Sequence, residues 1–232
     1  MILVSFVSWN HKLCFIHIPK SGGTSVSEAL KASVPGAHYH RPPRLDPNRW
    51  TGSGHCTIYD YQQEFKRNPD WSFAIIRNPY ERCVSAFMVH SDYGKKYHSQ
   101  GATDERMLHE WNKFLIFCES WNKSKGAILR ESSIYDPTGH WYHSGPALHM
   151  LPSSYLVTIN GRLAVDRLVA MRDINKIPSI VEQHTGIKMF NILHENKSES
   201  KNYYNLFLNN KSKTKIEQIY RSDFKLYEKA HE

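Results

Sequence analysis

Two short apolar runs stand out along the chain, and each is followed at once by a turn and then by a segment patterned as a helix. The first run is Leu13-Cys14-Phe15-Ile16-His17-Ile18; the second is Trp71-Ser72-Phe73-Ala74-Ile75-Ile76-Arg77. Both are continuous and rich in aromatic and β-branched residues, which predicts buried strands. After the first, residues 19–23 break the pattern and residues 24–32 read as a helix. After the second, Asn78-Pro79 ends the strand, proline suits a first helical turn, and residues 80–90 read as a helix. Residues 57–65 predict a short helix. Met107, Leu108, Trp111, Phe114, Leu115 and Cys118 recur at helical spacing in a helix beginning at Thr103. Residues 154–159 and 168–171 read as further strands, residues 174–185 as a helix stopped by Gly186, and residues 214–230 as one charged amphipathic helix. Proline-punctuated residues 35–50, polar residues 91–102, aromatic residues 132–145 and polar residues 196–202 read as loops. No internal repeat is visible. Strands alternating with helices predict an α/β fold: a single domain over residues 1–232, its sheet mainly parallel and flanked by helices. Ligands in such folds sit beyond the C-terminal ends of the strands, where both turns fall.

Composition narrows the partners. The chain has 232 residues, 40% of them hydrophobic, enough for a sizeable core. Lys and Arg outnumber Asp and Glu by 30 to 22, a net charge of +8, which favours an anionic ligand. The positive charge is spread out, with no basic block of the kind that makes a nucleic-acid arm, so nucleic acid is not expected as a partner. Cys14, Cys56, Cys83 and Cys118 lie far apart without metal-ligand spacing, so buried free thiols and no metal are expected. Residues 1–9 are apolar but lack a basic start and a small-residue cleavage site. No apolar run approaches the roughly 18 residues of a membrane helix. The expectation from these absences is a cytoplasmic protein with no membrane span. Asn122, Asn196 and Asn210 each begin an Asn-Lys-Ser triplet, read as coincidence in that setting.

The turn after the first run carries the candidate chemistry. Pro19-Lys20-Ser21-Gly22-Gly23-Thr24-Ser25 joins a strand end to a helix start. Glycines let backbone N–H groups converge there, and the helix N-terminus adds unpaired donors and the positive end of a dipole. Lys20 contributes a full charge; Ser21, Thr24 and Ser25 contribute hydroxyls. The order differs from the Walker phosphate loop, because Lys20 precedes the glycines instead of following them. The alternative is a plain strand-to-helix turn that binds nothing.

The same stretch, Ile18-Pro19-Lys20-Ser21-Gly22-Gly23-Thr24-Ser25, resembles the 5′-phosphosulfate loop of sulfotransferases, which use 3′-phosphoadenosine 5′-phosphosulfate (PAPS) as sulfuryl donor. Arg77-Asn78-Pro79-Tyr80-Glu81-Arg82-Cys83-Val84-Ser85 resembles the 3′-phosphate motif of that family, R-[ND]-P-x-x-R-x-x-S. The pair looks most like the carbohydrate sulfotransferases and their bacterial relatives, including the heparan sulfate 2-O-sulfotransferase type. The resemblance implies a P-loop-like nucleotide-binding architecture, release of 3′-phosphoadenosine 5′-phosphate (PAP), and a carbohydrate or other hydroxyl-bearing acceptor. It implies that Pro19, Lys20, Ser21, Gly22, Gly23, Thr24 and Ser25 hold the phosphosulfate, and that Arg77 and Ser85 hold the 3′-phosphate. A capping or salt-bridging Arg77 is the alternative, and for Arg82 that structural role is the expected one.

Fainter matches extend the resemblance. Gly54-His55-Cys56-Thr57-Ile58-Tyr59-Asp60-Tyr61 resembles the stretch whose histidine is the proposed general base in the 2-O-sulfotransferase branch, which singles out His55 among 14 histidines. Lys20 is then the second catalytic candidate. Asn196-Lys197-Ser198 resembles a segment near the nucleotide and implies Lys197 as a donor contact. Trp141-Tyr142-His143-Ser144-Gly145-Pro146 resembles a family segment in which Ala147 replaces the usual glutamine. Residues 38–50 and 111–142 are candidates for an acidic-sugar site or for packed core, with Trp111 assigned to core. Two other readings stay open: a P-loop-like nucleotide kinase, and a non-catalytic module for PAP-like nucleotides or sulfated glycans. The acceptor and the oligomeric state are not specified by the sequence.

Overall fold

The two apolar runs become neighbouring parallel strands at the centre of one sheet. The computed structural model describes residues 5–8, 12–34, 38–39, 57–90, 103–123, 149–192 and 203–231. The strands among them are β1 (Phe6–Val7), β2 (Cys14–Ile16), β3 (His38–Tyr39), β4 (Ser72–Ile76), β5 (Thr158–Ile159), β6 (Arg162–Leu163) and β7 (Arg167–Ala170). The helices are α1 (Gly23–Ser33), α2 (Ile58–Phe65), α3 (Pro79–His90), α4 (Asp104–Lys123), α5 (Ser153–Val157), α6 (Ile177–Thr185), α7 (Tyr204–Phe207), α8 (Asn210–Ile219) and α9 (Arg221–Lys229), with a 3₁₀ turn at Met171–Lys176. The main sheet runs β3-β1-β2-β4-β7. β2, β4 and β7 are parallel, with Phe15 opposite Phe73 and Ile75 opposite Val169. β1 pairs antiparallel with both β2 and β3. The sheet is thus parallel-rich as the alternation predicts, while its antiparallel edge comes from strands too short to carry a readable period.

Alternate side chains of the central strands enter opposite cores, as a pleated sheet covered on both faces requires. Phe15, Phe73, Ile75 and Val169 join Val26 and Leu30 of α1 and Ile177 and Val181 of α6. Cys14, Ile16, Ala74 and Ile76 join Ile58 and Tyr61 of α2, Leu156 of α5 and Leu226 of α9. A third cluster is helical and aromatic. In it Phe87 of α3, Trp111 and Phe114 of α4 and Phe207 of α7 meet edge to face, tilted or stacked at 5.1–5.7 Å. Trp111 is core, as expected, and its Nε1–H donates to Ser212 Oγ at 3.1 Å. Cys14, Cys83 and Cys118 are buried free thiols. Burial pushes the Cys118 thiol up to about 12, so it carries no thiolate at neutral pH. Cys56 lies outside the described residues. No helix among the described residues is long and apolar enough to cross a membrane.

Three expectations are corrected. Residues 154–159 form mostly a helix, α5, with only Thr158 and Ile159 in a strand. The apolar Tyr155-Leu156-Val157 favours a strand locally, but Asp223 caps the segment from 70 positions away. Its carboxylate accepts from the N–H of Ser153 at 2.7 Å and of Ser154 at 3.0 Å. The C-terminal helix is two helices, broken at Tyr220 (φ −112°, ψ 29°). The Tyr220 hydroxyl donates to the Met150 carbonyl at 2.8 Å, so a tertiary bond accompanies the break. Residues 38–39, expected within a loop, form the edge strand β3. The other expected helices and strands hold among the described residues to within a few positions, and the expected loops at 91–102, 132–145 and 196–202 lie outside them. α6 stops at Gly186 in the left-handed region (φ 70°).

Candidate active site

The loop between β2 and α1 has the conformation its composition suggested. Lys20 (φ 65°) and Gly22 (φ 80°) both adopt left-handed backbone, folding residues 19–22 into a tight turn. Gly22 is favoured by its backbone and, more weakly, by its neighbours. Its φ disfavours any side chain, and a Cβ there would sit 3.2 Å from Ile174 Cδ1. Gly23 is required for a different reason: a Cβ would lie 2.1 Å from His17 Cδ2 and 2.4 Å from Nε2. The His17 ring, buried and stacked on Phe15, lies across the start of α1.

Gly22 is the N-cap of α1, and the first turn contains no acidic residue. Lacking a side chain, Gly22 makes no side-chain cap bond, and no carboxylate in the first turn offsets the positive end of the helix dipole. Ser21 is fully buried, and its Oγ has no hydrogen-bond partner among the described residues. Pro19 and Ser25 are buried; Lys20, Gly22 and Thr24 are partly exposed. An orphaned hydroxyl, an uncapped helix start and a lysine suit a phosphate or sulfonate group.

The second motif starts at the end of the neighbouring strand, so adjacent parallel strands deliver both motifs to one edge. Arg77 follows β4, and its side chain is only 7% exposed. Its Nη1 donates to the Lys20 carbonyl at 3.3 Å, its Nε to Glu81 Oε2 at 3.2 Å, and its Nη2 to Tyr204 Oη at 2.8 Å. The salt bridge considered as an alternative is present, but it occupies only Nε. A guanidinium has five N–H donors. Among the described residues these bonds use three, leaving one on each terminal nitrogen. Asn78 is a capping residue, accepting from the Tyr80 N–H at 3.0 Å. Ser85 is buried on α3. The Tyr80 hydroxyl donates to Glu217; burial and that bond push its phenol up to about 12, so it stays protonated at neutral pH.

Arg82 has the structural role expected of it. It is buried, with Nε donating to the Pro19 carbonyl at 3.3 Å and Nη2 donating to the carbonyls of His149 and Leu151. Its Nη1 lies 3.5 Å from Asp223 Oδ2, and its guanidinium covers the Tyr220 ring at 5.7 Å. One buried ion pair therefore ties the candidate loop to α5 and α9. Asp223→Ala should lower unfolding free energy by about 3–5 kcal/mol, because it strands Arg82 in the interior and uncaps α5. Urea unfolding reads this directly, and a loss below about 1 kcal/mol would refute it.

His55, Lys197 and the segment from Trp141 to Ala147 lie outside the described residues. Sequence reasoning missed Tyr204, Glu81 and Asp223. Glu81 was within reach, since it stands four positions after Arg77 on a predicted helix. Tyr204 and Asp223 are separated by 127 and 141 positions from the arginines they meet.

With this geometry in place, the comparison with known families is direct. The chain matches the model of the sulfotransferase family over residues 5–230, nearly its whole length, and belongs to that family. Members are transferases that move sulfuryl groups, and both motifs lie inside the matched region. No curated protein matches the sequence.

Proposed function

We propose that this chain transfers the sulfuryl group of PAPS to a hydroxyl of a carbohydrate acceptor. In this reading the acceptor oxygen attacks sulfur, the bond from sulfur to the 5′-phosphate oxygen breaks, and PAP leaves. Lys20 and the loop amides meet the charge that grows on the leaving oxygen, in the manner of phosphoryl transfer. His55 takes the acceptor proton. Arg77 and Ser85 hold the 3′-phosphate, and Lys197, which lies outside the described residues, is a further donor contact.

The observation that carries the reading is the bond from Arg77 to the Lys20 carbonyl. It joins the two motifs, so an anion gripped by the arginine is a near neighbour of one cradled by the loop. The orphaned Ser21 hydroxyl adds a donor to that cradle. The excess of positive charge suits both a highly anionic donor and an acidic sugar. No observation favours a kinase or a non-catalytic module over this reading, and the lysine preceding the glycines speaks against a Walker-type kinase.

Calorimetry with PAP and ADP tests the donor assignment. Wild type should bind PAP at least tenfold more tightly, since a bond to a charged group contributes about 1.5–3 kcal/mol. Arg77→Ala should erase most of the difference. Equal wild-type affinities would remove the 3′-phosphate role from Arg77 and Ser85. The acceptor class is read by incubating a glycan panel with labelled PAPS: label on acidic glycans supports the carbohydrate assignment, and label only on phenols or peptides overturns it.

A further inference from the structure

We infer that Tyr204 is a positioning residue that sets donor specificity by fixing the plane of the Arg77 guanidinium. The inference rests on the donor reading above and goes beyond it, because Tyr204 belongs to neither motif. A guanidinium recognises a phosphate through a planar fork, so its orientation matters as much as its charge. Arg77 is held at all three nitrogens. Glu81 takes Nε from the first turn of α3, and the Lys20 carbonyl takes Nη1 from the loop. Tyr204 Oη takes Nη2 at 2.8 Å, the shortest of the three contacts.

The tyrosine is itself well placed to act as a fixed point. It opens α7, whose Phe207 is fully buried between Phe87 and Trp111 at 5.2 and 5.1 Å. That anchoring ties Tyr204 to the helical core and not to the loop. With Nη2 held from the core and Nη1 from the loop, the two remaining N–H groups, one on each terminal nitrogen, keep a fixed separation. Two parallel N–H groups are what a phosphate accepts in a bidentate pair. Removing the phenolic oxygen deletes the core-side restraint on the guanidinium, whose plane can then tilt as a unit, without altering the charge of Arg77. The effect should therefore fall on the 3′-phosphate and spare the rest of the nucleotide.

Calorimetry on Tyr204→Phe, with PAP and ADP as probes, tests this. Phenylalanine keeps the ring and deletes one atom, and ADP binding together with the melting temperature reports the fold. Tyr204→Phe should weaken PAP about tenfold and leave ADP unchanged, so the ratio of the two constants shrinks by the same factor. Asn205→Ala, an exposed change on the same turn, should leave both constants at wild-type values. Unchanged PAP binding overturns the inference. So does equal weakening of PAP and ADP, which would mark a structural role only. If wild type itself does not distinguish PAP from ADP, the donor reading fails first and the Tyr204 inference falls with it. That outcome is told apart because it appears before any substitution is made.

Discussion

Lys20→Ala is expected to lower kcat by about 10²–10³-fold while the dissociation constant for PAP changes far less. The lysine stands at the loop that cradles the phosphosulfate in the proposed reaction. Its charge meets negative charge that grows only as the bond to the leaving oxygen breaks. An interaction stronger in the transition state than in the ground state appears in kcat, and the loss of one such donor typically has this size. Alanine is the right probe for a structural reason. Lys20 has φ 65°, a conformation that disfavours alanine as it does lysine, so the substitution changes the side chain and not the backbone preference. Glycine would relax the strain and mix two effects. The Arg77 bond goes to the Lys20 carbonyl and survives the change. Steady-state kinetics with calorimetric PAP binding separates the outcomes. A normal kcat with only a raised KM for PAPS would mean uniform binding and would remove Lys20 from the chemical step.

What could be read from the sequence was what is local. The loop at residues 19–25 contains its own reasons: a strand before it, a helix after it, and glycines where φ turns positive or a ring lies close. Asn78-Pro79 likewise states where β4 stops and α3 starts. The central strands were legible because burial on both faces leaves an unbroken apolar run. Long-range contacts were not legible, and they decide the rest. Residues 154–159 carry strand-like residues, but their first N–H groups find Asp223, and the cap overrides propensity. β1 and β3 are two residues each and pair at the sheet edge, so no period-two pattern exists to be read.

The candidate site divides the same way. Arg77 was recognised by its motif, yet what it touches is split between Glu81 in the first turn of α3, Lys20 on the neighbouring strand's loop and Tyr204 of α7. Arg82 belongs to the same nine-residue motif but turns into the interior, where Asp223 and three carbonyls receive it. Two arginines five positions apart thus do different work. One is held at the edge with two N–H groups to spare among the described residues; the other fastens the Pro19 end of the loop to α5 and α9. That fastening has a functional side. The N-terminal end of the loop is held by two arginines, Arg82 at the Pro19 carbonyl and Arg77 at the Lys20 carbonyl, so in the proposed reaction the cradle is organised beforehand.

His55→Ala is expected to abolish most transfer, by about 10²–10⁴-fold, with PAP binding intact. His55 lies outside the described residues, and the proposal rests on its surroundings in the sequence. It stands three positions before Ile58, which is buried in the cluster that contains Ile16 and Ile18, at the end of β2 from which the loop departs. A base must lose its proton before it can accept another, so activity should fall as pH drops through the range where histidines ordinarily titrate, about 6.5. The pH profile of kcat/KM should therefore show an acidic limb in wild type, and the residual activity of His55→Ala should lack it. Comparing the two profiles at saturating PAPS, on an acceptor identified from the glycan panel, separates a base from a packing histidine. A packing histidine would lower the melting temperature and leave the limb in place. A folded His55→Ala protein that keeps most of its activity would assign the proton transfer to another group. His17 is the first to test, since its buried ring already lies against Gly23 at the mouth of the loop.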